Sequence, residues 1–370
     1  MPPTPDPIED DLDTLPPPPP VFHAEQALLG ALLLEPHRAA GLTGITVKAF
    51  STAGHAALFA AIRSLPALEP AEHAKTTTWL NRVLTAAGEQ TRGLTTAYLH
   101  HLIQCCPEPR HAPAYARIIE AEHSRRLLRD AAHRLIQTTL DTSLPHRVAT
   151  TLAEAGTLTT MVDDIATRFP TRSGPLSRTP ATSAVVHDEE AGEEERLLLA
   201  TATTRPGSVE RMRWLIPGDF THPLHAGLWQ CLTTLTRRGT PIDPVTVLWE
   251  AQHHGIAGTA EPRELLGLLS DPDGCDPEHW GEQILQRSLL TTAHHTGRRI
   301  EKLTDDPATT THQLVVGARR ALADLSAVRV RWHHATTPAP TNSRARNRYS
   351  APPRAGPPPT TAPPAVRTPR

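Results

Sequence analysis

Lysine, aromatic side chains and long apolar runs are all scarce in this sequence. Lys48, Lys75 and Lys302 are its only lysines in 370 residues. A phosphate-cradling loop needs a glycine-rich turn and a lysine followed by Ser or Thr, because that lysine reaches the terminal phosphates. Here the lysines are followed by Ala49, Thr76 and Leu303, and none is preceded by glycine. ATP hydrolysis through such a loop is therefore not expected. No apolar run approaches the roughly 18–20 residues of a membrane-spanning helix, and the acidic, prolyl N-terminus is unlike a signal peptide. The four cysteines, Cys105, Cys106, Cys231 and Cys275, include an adjacent pair and no Cys-x-x-Cys spacing. That usage fits a reduced compartment, so a cytoplasmic protein is expected, with association with the nucleoid left open. Alternating β-branched runs and Asn-Gly turns are nearly absent, which argues against strands.

What the chain does have is proline, arginine and helical periodicity. Its 38 prolines crowd at the ends and in one middle segment. Net charge is −2, so bulk charge makes no case for nucleic acid or membrane. The ends differ in sign: residues 1–20 hold five acids and no base, whereas residues 335–370 hold six arginines, ten prolines and no acid. Such composition predicts solvated, disordered tails. The expected division is a tail at 1–20, a folded segment at 21–167, a linker at 168–187, a second folded segment at 188–332 and a tail at 333–370. Both folded segments space apolar residues three and four apart, as Leu58, Ile62 and Leu65 do, and an all-α fold follows.

The two segments also look alike. A shift of 170 puts Glu25 on Glu195, Leu28 on Leu198, Leu29 on Leu199, Pro36 on Pro206, Phe50 on Phe220, His55 on His225 and Leu58 on Leu228. No gap is needed through Trp79 and Trp249 or Gly88 and Gly258. A shift of about 165 then places Tyr115 on Trp280 and Ile119 on Ile284. The matches fall on apolar helix faces, on a helix-ending proline and on one aromatic–x4–His spacing, which points to duplication.

These residues resemble the N-terminal domain of the DnaB replicative helicase. The first copy carries its opening helix in Ala24, Glu25, Leu29, Gly30, Leu32, Leu33 and Pro36, then its Phe50 and His55 step. Gly30 would admit a close neighbouring helix. The second copy keeps Phe220 and His225 and the Pro-Ile-Asp segment, where Pro241, Ile242 and Asp243 would end a turn and Asp243 would cap the next helix. The segment from Tyr115 resembles the first arm of the family's helical hairpin, with a return arm at about 144–166. The second hairpin would lie at about 279–303 and 309–330. The first copy lacks Pro-Ile-Asp and the second lacks Leu-Gly. The resemblance implies two tandem bundles of this type, each ending in a hairpin.

No catalytic, cofactor-binding or metal-binding residue is expected. The histidine pairs, such as His100-His101, diverge by about 100° on a helix. His222 and His225 read as a loop residue and a helix start, and no His-Glu-x-x-His occurs. The remaining charged feature is arginine: Arg125, Arg126 and Arg129 on the first hairpin, Arg298 and Arg299 on the second, Arg319 and Arg320 on its return arm. They read either as helix surface paired to nearby acids, such as Glu122, or as an edge facing a partner or DNA.

The resemblance then implies a non-enzymatic interaction module of DNA replication, binding a helicase, its loader or a primase, with no cofactor. It also implies an intramolecular pseudo-dimer, with higher homo-oligomers open. Two alternatives stand beside it: a DNA-binding accessory protein using the hairpin arginines and basic tail, and a helicase subunit working with a separate ATPase chain.

Overall fold

The computed structural model describes residues 18–66, 78–170, 189–256, 258, 260–270 and 276–337. Nearly all of the expected tails and linker, and with them Lys75 and Cys275, lie outside these residues. All regular structure among the described residues is helical. The first half forms α1 (Pro20–Leu34), α2 (Ala53–Ser64), α3 (Thr78–Gly88), α4 (Thr96–Gln104), α5 (Ala112–Leu140) and α6 (Arg147–Arg168). The second half forms α7 (Glu189–Thr204), α8 (Pro206–Arg211), α9 (Pro223–Arg238), α10 (Pro244–His253), α11 (Pro262–Leu269), α12 (Pro277–Asp305) and α13 (Thr311–Thr336).

Proline sets where many of these helices begin. Pro20, the last of five consecutive prolines, is the first residue of α1, and α8 to α12 each open on a proline as well. The first helical N–H has no partner in any case, and proline's fixed φ suits the first turn. Asp243 caps α10 as expected, accepting from the N–H groups of Val245 at 2.8 Å and Thr246 at 2.9 Å. Gly239, at φ +66°, ends α9 in the left-handed conformation that glycine adopts without strain.

Helix α1 is buried without interruption from Ala24 to Leu33. A helix buried on every side belongs at the centre of a bundle, and α1 packs against α2, α4 and α5. Gly30 allows this: a Cβ there would drive into the carbonyl of Leu102 on α4. The counterpart, α7, packs against α8, α9, α11 and α12 and carries Ala200 at the matching place.

The duplication is visible element by element. Helices α1 and α7 end at Leu34 and Thr204, 170 residues apart. The same spacing separates the helical turns Pro36–Gly41 and Pro206–Arg211, the 3-10 turns Val47–Ala49 and Pro217–Asp219, and the starts of α2 and α9. Helices α5 and α12 are both 29 residues long and lie 165 apart at both ends.

In one place the gapless sequence match fails. Trp79 is 1% exposed, whereas Trp249 is 63% exposed. The buried positions of α3 are Trp79, Val83 and Ala87, and those of α10 include Val247 and Ala251. Burial therefore pairs Trp79 with Val247, a shift of 168, and places Trp249 on the outer face.

Each bundle has its own apolar core, and a third core is shared between them. It joins Leu128, Leu135, Leu158 and Val162 of the first hairpin to Ala293, Ile300, Val315 and Leu325 of the second. Helix α13 also runs to Thr336, past the residue 333 at which composition placed the tail. Trp332 and Ala335 extend it by packing on the second bundle.

Candidate functional site

Three constellations stand out: one buried in each bundle, and one where the hairpins meet. In the first bundle the fully buried Glu25 of α1 accepts from both polar groups of Ser51, from the N–H at 2.7 Å and from Oγ at 2.9 Å. His55 Nδ1 lies 2.6 Å from the same carboxylate. A carboxylate only accepts, so Nδ1 carries the proton. His55 Nε2 sits 2.7 Å from the Tyr98 hydroxyl, and Phe22 stacks on the ring at 4.8 Å. Burial raises the pKa of Tyr98, which keeps its proton on the phenol.

The second bundle repeats this arrangement. Glu195 accepts from the Thr221 N–H at 2.6 Å and Oγ1 at 2.7 Å, and from the His222 N–H at 3.2 Å, with His225 Nδ1 at 2.9 Å. Burial alone would raise the Glu195 pKa, but these hydrogen bonds outweigh it and hold the carboxyl below its ordinary range. Each carboxylate ties the central helix to the start of the next long helix, α2 or α9. Phe50 and Phe220 reinforce that junction, tilted against Phe59 at 4.8 Å and Trp229 at 5.9 Å. Both carboxylates are enclosed among their partners, so the geometry is that of a structural clasp.

The hairpins meet with approximate two-fold symmetry. Residues 165 apart are mates, and one contact of the joint recurs in both halves. Arg129 donates to the Thr304 carbonyl at 3.0 Å, while its mate His294 lies 3.2 Å from the hydroxyl of Thr139, the mate of Thr304. Burial lowers the His294 pKa and the neighbouring His295 and Arg298 lower it further, against a smaller opposing pull from Glu301. The mates Ala132 and Gly297 touch each other where α5 crosses α12. A Cβ on Gly297 would meet the Ala132 carbonyl at 3.2 Å and Ile136 Cγ1 at 2.6 Å. A joint in which residue i meets j and the mate of j meets the mate of i is the isologous geometry of a two-fold dimer. Here both halves belong to one chain.

The candidate arginines divide between this joint and the surface. Arg125 is held by Glu122 at 3.3 Å and donates to the carbonyls of Thr304, Asp306 and Thr309, pinning the turn of the other hairpin. Arg126 reaches the Ala49 carbonyl, and Arg129 also pairs with Asp305 at 3.1 Å. Arg298 pairs with Glu301, which also takes His133 at 2.6 Å. Arg299 pairs with Asp324 at 3.1 Å, and Arg319 with Asp163 across the joint at 2.7 Å. Arg320 is exposed and has no ion-pair partner among the described residues. A surface edge would therefore rest on Arg298, Arg299, Arg319 and Arg320.

Sequence reasoning missed Ser51, Thr221, Tyr98, Thr139, Thr304 and Gly297. A signal existed for two of these pairs: the 170 shift lays Ser51 on Thr221, both hydroxyls, and the 165 shift lays Thr139 on Thr304. Nothing in the sequence marked Tyr98.

A family model described as the DnaB-like helicase N terminal domain matches residues 17–121 and 187–272. Its two segments cover both bundles, and most of the hairpin residues fall outside them. No curated protein and no solved structure matches the chain.

Proposed function

The chain belongs to the family of the DnaB-like helicase N-terminal domain, and from that premise we propose that it is a non-catalytic interaction module of DNA replication. It would engage a helicase, a helicase loader or a primase as a protein surface, without turning over a substrate itself. The observation that carries this reading is the joint: two family domains on one chain bury their hairpins against each other in a two-fold arrangement. The chain thus offers a pair of domains as a single covalent unit. The connection between the halves keeps one hairpin at roughly millimolar effective concentration for the other, which favours pairing within the molecule. The lack of a phosphate loop in these 370 residues and the enclosure of both Glu–His clasps support a binding role over a catalytic one.

The deciding experiment is a pulldown with the purified full chain and the cognate helicase, loader and primase. Enrichment of one of them is expected. Enrichment of none would remove the replication reading. Crosslinks between 115–166 and 279–330 are expected within one molecule; their occurrence only between molecules would overturn the pseudo-dimer.

A further inference from the structure

The hairpin joint brings together halves of common origin, yet most of its polar contacts occur once. At one end Arg125, Arg126 and Arg129 fill the space between the Val47–Ala49 turn and the 304–309 turn. At the other, between the turn after Thr139 and the Pro217–Asp219 turn, a cleft of about 740 Å3 stays open. Three contacts between a basic and an acidic side chain cross the joint: Arg129 with Asp305, His133 with Glu301, and Arg319 with Asp163. The mates of Arg129 and Asp305 are His294 and Leu140, and those of His133 and Glu301 are Arg298 and Ile136. On the return arms burial aligns Ala155, Leu158 and Val162 with Ala318, Ala321 and Leu325, a shift of 163, so the mates of Asp163 and Arg319 are Ser326 and Gly156. None of the three contacts is repeated by the mates.

Like hairpins placed in the same geometry fit worse. With first against first, Ala132 stands where Gly297 is, and its methyl group meets Ile136 at 2.6 Å and the Ala132 carbonyl at 3.2 Å. His133 then faces Ile136, Arg129 faces Leu140 and Asp163 faces Gly156, so all three acids of hairpin two or their basic partners are missing. With second against second, Asp305 and the 304–309 turn lose Arg129 and Arg125 to His294 and Leu290, and Arg319 faces Ser326. Glu301 keeps a cation, Arg298 standing in the place of His133, but it also replaces the apolar Ile136 at the crossing.

We infer that the joint selects unlike hairpins, with Arg129, Ala132, His133, Ile136 and Asp163 on one side matched to Gly297, Glu301, Asp305 and Arg319 on the other. This preference rests on the proposed pairing of the two halves and adds to it that contacts, and not the connection alone, choose the partner. A chain whose joint has opened then closes only on the opposite hairpin of another chain. Assembly through the hairpins runs head to tail, first to second, and a symmetric dimer through either hairpin alone is excluded.

The test uses two full-length variants, G297E and A132E. Each puts a carboxylate at the crossing and opens the joint of its own chain, because an unpaired charge resists burial. G297E keeps an unaltered first hairpin and A132E an unaltered second. Mixed, they are expected to form a 1:1 dimer, whose composition native mass spectrometry reads with one chain isotopically heavy. Either variant alone, at the same total concentration, is expected to give at least about tenfold less dimer. Comparable dimer from one variant alone, or none from the mixture, would overturn the preference. Circular dichroism and loss of the crosslink between 115–166 and 279–330 check that each variant is folded and open; where either check fails, a second measurement within the closed chain decides. G297A/E301I makes the crossing first-on-first, A132G/I136E makes it second-on-second, and the four together restore an unlike crossing with the sides exchanged. Each pair is expected to lower the thermal midpoint by several degrees, and the four to recover at least half of the combined loss; additive losses would count against the preference. Wild-type crosslinks found only between molecules would instead overturn pairing within one chain and leave the preference standing.

Discussion

His55 Nδ1 lies 2.6 Å from the buried Glu25 carboxylate, and His225 repeats the contact with Glu195 at 2.9 Å. Removing one partner of a buried pair leaves the other uncompensated, at a cost of about 3–5 kcal/mol. Glu25→Ala is expected in that range. Ser51→Ala, which keeps the backbone N–H donor, is expected to cost about 1 kcal/mol. Urea denaturation of the full chain checks the order; equal losses would contradict the clasp.

The sign of the acid dependence follows from Glu195. Its folded pKa lies below the ordinary value of 4.5, so the ionised form favours the folded state. That contribution is complete above 4.5 and is lost as the pH falls through the lowered folded value. Glu195→Gln is therefore expected to be less stable at neutral pH and to lose less of its stability on acidification. Parallel stability–pH curves for the two proteins would contradict this.

The crossing of α5 and α12 depends on the missing side chain of Gly297. Gly297→Ala forces its methyl on Ile136 and the Ala132 carbonyl, and overpacking of this kind costs about 1–3 kcal/mol. Ile136→Val in the same chain is expected to recover part of that loss. A double-mutant cycle on thermal midpoints reads the coupling, and strictly additive effects would place the two residues apart.

The arginines should separate by location. Arg125→Ala removes a donor from three turn carbonyls, of which Thr304 keeps Arg129 and Asp306 keeps the Thr309 N–H, and is expected to cost about 1–2 kcal/mol. Arg320→Ala, with no ion-pair partner among the described residues, is expected to stay within about 0.5 kcal/mol. If the surface edge meets a partner, Arg320→Ala should instead weaken capture in the pulldown while leaving stability intact.

Trp79 and Trp249 offer a simple contrast. Trp79→Ala empties a core position and is expected to cost about 3–5 kcal/mol, whereas Trp249→Ala is expected to cost under about 0.5 kcal/mol. Their fluorescence should differ likewise, with Trp249 quenched first by added iodide.

The sequence by itself determined the helices, the duplication and the hairpins. Proline at first helical positions, the Asp243 cap and the three-and-four spacing of Leu and Ala act through a few neighbouring residues, so they can be read locally. The sequence also marked Glu25, His55, Glu195 and His225 as recurring, but not that each pair is bonded: the partners lie 30 residues apart and meet only when α1 folds on α2 and α7 on α9. The third core, the pinning of the second hairpin turn by Arg125 and the open cleft at the other end were decided by tertiary structure alone. Each depends on which faces of two helices 165 residues apart come together, and burial of apolar area, being non-directional, does not specify that pairing from one helix's pattern. The slip between Trp79 and Trp249 has the same origin. Two tryptophans match in the sequence, but a two-residue offset on a helix turns a side chain about 200°, from the core to the surface.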